Sequence, residues 1–201
     1  MEENGYEVYQ YQLDAIKQAF AIIEKNNGVI LADVVGLGKT IIACAVAREL
    51  KKRGVIICPP GIIGNPRKKD AGWNMYKEQF RLHDWEVWSL GDLDKLQETI
   101  KKAKDIEVVI IDEAHRFRNQ DTKSYEYLKN ICRNKQVILL TATPFNNRPA
   151  DILSLLKLFI TPKKSAITLE NNLVDKFRTF KGVFGRLAYI KKHYNSNDRN
   201  K

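Results

Sequence analysis

The sequence predicts an α/β domain built on a mostly parallel sheet covered by helices on both faces, and three observations carry that prediction. Four short runs, Val29–Ala32, Val55–Cys58, Val108–Ile111 and Val137–Leu140, are apolar without polar alternation, as strands buried on both faces are. The stretches between them carry apolar residues at helical spacing. Residues capable of phosphate and metal chemistry follow the strands directly, at the ends where open parallel sheets place their ligand loops. A chain of 201 residues suits one such domain, or one domain with a short attachment.

In chain order, Tyr11 to Asn26 sets Leu13, Ile16, Phe20 and Ile23 on one helical face and stops at Asn27-Gly28, a pair suited to a C-terminal cap. Strand 29–32 follows, then a glycine turn. Ile41, Ile42, Ala45, Val46 and Leu50 predict a helix from Thr40 to about Arg53, ended by Gly54 ahead of strand 55–58. Pro59-Pro60-Gly61 breaks the chain there. Beyond it the pattern predicts a helix near 73–83, a strand at 85–89, a helix near 93–104, strand 108–111, a helix over about 122–133, strand 137–140 and a helix over 150–159. There is no internal repeat and no low-complexity linker. Thr161-Pro162-Lys163-Lys164 is the one boundary, dividing a domain over 1–161 from a short helical extension over 162–201, with helices near 171–180 and 184–194.

The formal charge of +10 is uneven: residues 161–201 hold ten Lys and Arg against three acids, or +7, which leaves +3 for residues 1–160. A polyanion such as nucleic acid is one reading of that basic segment, and a solvated helical face is the other. Cys44, Cys58 and Cys132 are odd in number, widely spaced and set among apolar residues, which predicts reduced core thiols rather than disulfides or a structural zinc. His83, His115 and His193 show no metal-ligand spacing. Met1 to Tyr6 lacks the basic start and apolar core of a signal peptide, and the apolar runs are about strand length. The expectation is a soluble, cytoplasmic protein with no membrane partner, associated with the nucleoid or nucleus if it acts on DNA.

Three segments carry chemistry. Gly36-Leu37-Gly38-Lys39-Thr40 has the layout of a phosphate cradle: the glycines let backbone N–H groups turn inward, Lys39 brings a mobile cation, and the Thr40 hydroxyl suits Mg²⁺. A helix starting there adds its positive dipole end. Asp33 stands where the strict P-loop pattern has glycine. Asp112-Glu113-Ala114-His115 leaves strand 108–111 at the same sheet edge, with Asp112 suited to hold Mg²⁺ and Glu113 to orient and deprotonate an attacking water. Thr141-Ala142-Thr143-Pro144 follows the next strand, its two hydroxyls able to bond to the neighbouring carboxylate and histidine. An isolated acid pair after a strand would read as a loop cap; a Lys-Thr turn and a strand-borne Asp-Glu on one sheet do not.

In that order the three segments resemble motifs I, II and III of superfamily 2 helicases and translocases. Asp112-Glu113-Ala114-His115-Arg116-Phe117-Arg118-Asn119 is similar to the extended motif II of SWI/SNF-like ATPases, and Thr143-Pro144-Phe145-Asn146-Asn147 to the segment after their motif III. Tyr11-Gln12 is similar to their adenine-reading motif, and Pro59-Pro60-Gly61 resembles motif Ia, which lies along a nucleic-acid backbone. The resemblance covers about residues 8–160. It implies an N-terminal RecA-like lobe with a P-loop three-layer α/β/α fold, ATP and Mg²⁺ as ligands, and DNA, duplex in this family, as partner. It assigns nucleotide binding to Gln12, Gly36, Leu37, Gly38, Lys39 and Thr40, the metal to Thr40 and Asp112, and catalysis to Lys39, Asp112 and Glu113. His115, Thr141 and Thr143 would couple nucleotide state to the nucleic acid held at Pro59, Pro60 and Gly61.

Asp33 fits this family, while Val34-Val35 departs from its usual acidic-then-apolar pair. Pro66 stands where the family has tryptophan, and Trp73 follows seven residues later. Gly182 to Tyr189 fails the arginine-finger pattern Gln-x-x-Gly-Arg-x-x-Arg at its first and last positions, so a second RecA-like lobe is expected elsewhere in a longer enzyme, with 162–201 as the start of a helical protrusion. A strand-separating DEAH-type helicase or a restriction-enzyme motor shares the same motifs. A nucleotide-gated binding module without turnover is the rival from another class, and Glu113 argues against it, because a pure binder needs no base. A GTPase is disfavoured, since Asn134-Lys135-Gln136-Val137 lacks the acid that reads guanine.

Overall fold

Five strands and six helices alternate along the chain in a computed structural model that describes residues 9–32, 38–117, 119–142 and 149–160, together with positions 174, 175, 177–179, 181, 182 and 186. They are α1 (Gln10–Asn26), β1 (Gly28–Ala32), α2 (Lys39–Leu50), β2 (Gly54–Cys58), α3 (Gly72–Gln79), β3 (Glu86–Ser89), α4 (Leu93–Lys102), β4 (Val108–Ile111), α5 (Lys123–Cys132), β5 (Gln136–Thr141) and α6 (Pro149–Leu156). The strands form one sheet in the order β1-β5-β4-β2-β3, and every pairing is parallel. The sheet, its parallel sense and the alternation with helices agree with the fold the sequence predicts.

Burial explains the uniformly apolar strands. Along β4, Val108 and Ile110 enter a core with Ala19 and Ile23 of α1, Ile42, Ala43 and Val46 of α2, and Trp73 of α3. Val109 and Ile111 point the other way, into a core with Leu96 of α4, Leu128 and Ile131 of α5, and Leu155 of α6. The period-two alternation of side chains therefore feeds two apolar layers rather than one layer and solvent. This is a three-layer α/β/α arrangement.

Three helices end three or more residues earlier than the sequence suggests, among them α6, at Leu156 rather than residue 159. α2 stops at Leu50 because Lys51 turns left-handed (φ 52°), and Arg53, expected as its last residue, instead belongs to the sheet end. The Arg53 carbonyl accepts from Glu107 N and Val108 N, while its guanidinium reaches Asp105 (2.6 Å), Glu86 (3.1 Å) and the Asp84 carbonyl (3.0 Å). α3 stops at Gln79 rather than near residue 83: Arg81 is left-handed (φ 57°), with Arg81 N bonding the Glu78 carbonyl and Leu82 N the Lys77 carbonyl, a Schellman closure without glycine. α1 ends as expected, on Asn27 at φ 60°. The helices expected near 171–180 and 184–194 lie mainly outside the described residues, although 174–175 and 177–179 are helical.

All three thiols are free and buried. Burial pushes Cys58 and Cys132 up to about 12 and Cys44 higher still, with the charge of Asp112 adding to the effect at Cys44 and Cys58. Among the described residues no helix is long and apolar enough to cross a membrane. The folded chain is expected to resist alkylation by iodoacetamide at pH 8 at all three cysteines and to react at all three after unfolding in urea, as read by intact mass.

Candidate nucleotide site at the C-terminal edge of the sheet

Because the strands are parallel, the chain leaves β1, β4 and β5 at one edge. Ala32 of β1 pairs with Thr141 of β5, and Ile111 of β4 with Leu139, so Thr141 sits between the strand that enters the glycine turn and the strand that delivers Asp112. Thr141 is buried. Asp112 extends the ladder by one further bond, its N–H donating to the Ile57 carbonyl at 2.8 Å.

The Asp112 carboxylate is held from two sides. Oδ1 accepts the backbone N–H of Glu113 at 2.8 Å, and Oδ2 accepts the indole N–H of Trp73 at 2.9 Å. Burial raises its pKa above the ordinary carboxylate value; these two hydrogen bonds oppose the rise, the charge of Glu113 adds to it, and the charge of Lys39 counters it. Trp73 is 2% exposed and comes from the first turn of α3. Sequence reasoning placed it near this region only as a displaced tryptophan, since an indole at core spacing gives no sign of the acid its N–H will meet.

Glu113 adopts a left-handed backbone (φ 53°), uncommon for a residue with a Cβ. The turn that follows, Ala114–Phe117, buries Ala114 and Phe117. It brings His115 Nδ1 to 2.9 Å from Glu113 Oε2, a contact that becomes an ion pair when the ring is protonated. Glu113 and His115 both keep part of their side chains in solvent, at 40% and 33% exposure.

The opposite wall is the start of α2. Gly38 is its N-cap at φ 78°, and Lys39 and Thr40 occupy its first turn. Gln12 of α1, only 4% exposed, lays its amide over this glycine: a Cβ at position 38 would stand 2.6 Å from Gln12 Nε2. Gln12 Oε1 is buried without a hydrogen-bond partner among the described residues. An orphaned acceptor costs about 1–3 kcal/mol and so fits a ligand that brings a donor. Gly36, Leu37 and Thr143, together with Asp33 and Val34-Val35, lie outside the described residues. Pro59, Pro60 and Gly61 leave β2 at the same edge, with Pro60 and Gly61 exposed in a short helical turn over Pro60–Ile62.

Thr40 and Asp112 offer the hard oxygen donors that Mg²⁺ takes. No cluster of three or more His, Cys, Asp or Glu occurs among the described residues. A one- or two-carboxylate site suits a metal that fills its remaining positions with water and phosphate. A cleft of about 840 Å³ lies at the other edge of the sheet, lined by Asn27, Glu107 and Gln136 at the strand starts, and contains none of these groups.

Comparison with known proteins identifies a family. The family described as SNF2-related domain matches residues 62–178. The uncharacterized ATP-dependent helicase YqhH of Bacillus subtilis is 31% identical over 196 residues, covering 88% of this chain and 33% of its own length. Chromodomain-helicase-DNA-binding protein 1-like of Danio rerio is 31% identical over 183 residues, 76% of this chain and 17% of that protein. The chain thus spans a third or less of these relatives. In three dimensions it shares the fold of the Sulfolobus solfataricus SWI2/SNF2 ATPase core in complex with dsDNA, with a TM-score of 0.63 and 21% identity over 89% of this chain and 44% of that one.

A raised Asp112 pKa makes the folded state hold its proton more tightly than the unfolded chain, so the stability it contributes is present at low pH and lost as pH rises through the folded pKa. The unfolding free energy of the unsubstituted chain relative to Asp112→Asn should therefore shift in the variant's favour between pH 4 and pH 7, as measured by urea denaturation; a gap independent of pH would contradict the assignment.

Proposed function

This chain belongs to the SNF2-related domain family, and we propose that it is the ATP-binding lobe of a DNA-dependent ATPase that couples ATP hydrolysis to translocation on duplex DNA. The observation that carries the reading is the placing of the Asp112-Glu113 pair on the same sheet edge as the Gly38-Lys39-Thr40 helix start, with Thr141 on the strand between them.

In this reading Lys39 and the first N–H groups of α2 draw in the terminal phosphates of ATP. Thr40 and Asp112 hold Mg²⁺, which when bound neutralises phosphate charge. Glu113 orients a water for in-line attack and takes its proton, with His115 Nδ1 lying 2.9 Å from one of its carboxylate oxygens. Gln12 reads the base: its partnerless Oε1 accepts from the exocyclic amine of adenine. Gly36 and Leu37 complete the phosphate loop.

Thr141 and Thr143, with His115, transmit the nucleotide state toward the loop at Pro59, Pro60 and Gly61, where DNA phosphates lie. Residues 1–161 form the lobe, and 162–201 begin a helical protrusion ahead of a second RecA-like lobe that supplies arginine to the closed site. The relatives named as helicases and the SWI2/SNF2 core bound to dsDNA support the DNA partner. The protein would then work wherever the cell keeps its DNA.

In the two-lobed protein, Lys39→Ala and Glu113→Gln should each abolish DNA-stimulated phosphate release; full activity in both would overturn the reading. The 201-residue chain alone, without an arginine from a second lobe, should turn over about 10³–10⁵-fold more slowly than the two-lobed protein in the same assay. Triplex displacement on intact duplex, run beside a strand-separation assay, distinguishes a duplex translocase from a strand-separating helicase.

A further inference from the structure

Between the helical turn that follows β2 and the start of α3 the chain makes a closed loop over Gly64–Gly72, whose tip carries none of the residues assigned to the phosphate site. Its neck is sealed backbone to backbone: a Cβ on Gly64 (φ 78°) would fall 1.9 Å from the Ala71 carbonyl oxygen, and one on Gly72 (φ 59°) 2.5 Å from that of Ile62. Asn74, 5% exposed, clasps the neck, its Nδ2 donating to the carbonyls of Ile63 (2.9 Å) and Gly64 (3.2 Å). The tip is fixed by Asn65, whose Oδ1 accepts from Arg67 N (2.8 Å) and Lys68 N (3.1 Å) and whose carbonyl accepts from Lys69 N (2.9 Å).

The loop therefore holds three consecutive cations, Arg67, Lys68 and Lys69, exposed at a fixed tip. Lys69 is paired with Glu78 at 2.5 Å. Arg67 and Lys68 carry no ion pair among the described residues, and Asp70 is the one acid in the loop. Like charges confined side by side on a rigid turn repel, and the rest of the described domain offers these two nothing in return. The tip, residues 65–70, is exposed throughout and has no apolar side chain beyond Pro66, so it does not suit a small ligand. An extended polyanion with regularly spaced surface oxygens fits it, and a nucleic-acid backbone is that partner. At the foot of the same loop stands Trp73, bonded to Asp112 Oδ2.

We propose that the Gly64–Gly72 loop is a phosphate-backbone grip in which Arg67 and Lys68 contact duplex DNA, and that Trp73 at its foot is a positioning residue for the Asp112 carboxylate. The proposal rests on the reading of the chain as part of a DNA-dependent motor, and adds to it a contact beyond Pro59, Pro60 and Gly61. Because Trp73 is joined directly to the neck, a load on the tip reaches Asp112 without passing through the sheet.

The test uses the full-length protein that carries this chain. Duplex binding is followed by fluorescence anisotropy across a salt series for the unsubstituted protein and for Arg67→Gln/Lys68→Gln, with ADP affinity as the check on folding. Removing two phosphate contacts should lower the slope of log K against log salt by about 2 and weaken binding by roughly 10- to 100-fold at 0.1 M salt, with ADP affinity unchanged. In protein labelled with fluorotryptophan, the ¹⁹F resonance that disappears in Trp73→Phe should shift on adding duplex, and should not shift in the double variant.

If the unsubstituted protein binds duplex and the double variant keeps the same slope, the grip is overturned and the motor reading stands. If the unsubstituted protein binds no duplex at any salt, the motor reading falls and the grip with it. A lowered slope with a Trp73 resonance indifferent to DNA overturns the positioning role.

Discussion

When all five strands of a sheet run the same way, each connection must cross back over a face, and each strand must end at the same edge. The two apolar layers and the convergence of distant residues both follow from that single constraint. The crossing helices need cover on both faces, so the strands are apolar throughout, and the edge receives what leaves β1, β2, β4 and β5. Strand order then sets the spacing. With β5 inserted between β1 and β4, the glycine turn and Asp112 leave strands two steps apart, about 10 Å at ordinary inter-strand distance. That spacing is of the order of a phosphate chain with a hydrated cation.

The edge carries three local costs of kinds also met elsewhere in the fold, where Lys51 and Arg81 are left-handed and Gln136 Oε1 is buried without a partner among the described residues. Glu113 holds a left-handed backbone, Asp112 is an acid in a largely desolvated place, and Gln12 keeps a buried oxygen without a partner. Each departure of this kind costs on the order of 1–3 kcal/mol, against a total stability of about 5–15 kcal/mol for an ordinary domain. The two well-packed cores offset that cost. What sets these three apart is that they meet around the start of α2 and the end of β4, where one ligand could relieve them together.

Legibility in the sequence tracked how local each cause was. β2, β4 and β5 are buried along almost all of their length, so their residues are apolar whatever the neighbours are, and periodicity finds them. Lys39, Thr40, Asp112 and Glu113 were legible because phosphate chemistry needs those residue types directly after a strand. The ends of α2 and α3 were not, since the left-handed stops fall on Lys51 and Arg81, where a reader looks for glycine. The hydrogen bond between Trp73 and Asp112 spans 39 residues and is made by a side chain whose burial alone explains its presence. Pairings of that kind are set by the fold, and only coordinates display them.

Trp73 shows how a loop can stand beside a site and leave it intact. The family resemblance places a tryptophan near position 66, where the chain has Pro66, and the six residues between it and Trp73 could span about 20 Å if extended. They do not, because the neck closes on itself: Ile62 and Gly72, like Gly64 and Ala71, touch through their backbones. The chain enters α3 close to where it left the Pro60–Ile62 turn, so residues 65–70 form a separate basic tip instead of lengthening the path to Trp73. Any side chain at position 64 or 72 would force the neck apart and carry the indole away from the carboxylate. The two glycines, far from the phosphates, are thus as much a condition of Asp112's setting as the strand that bears it.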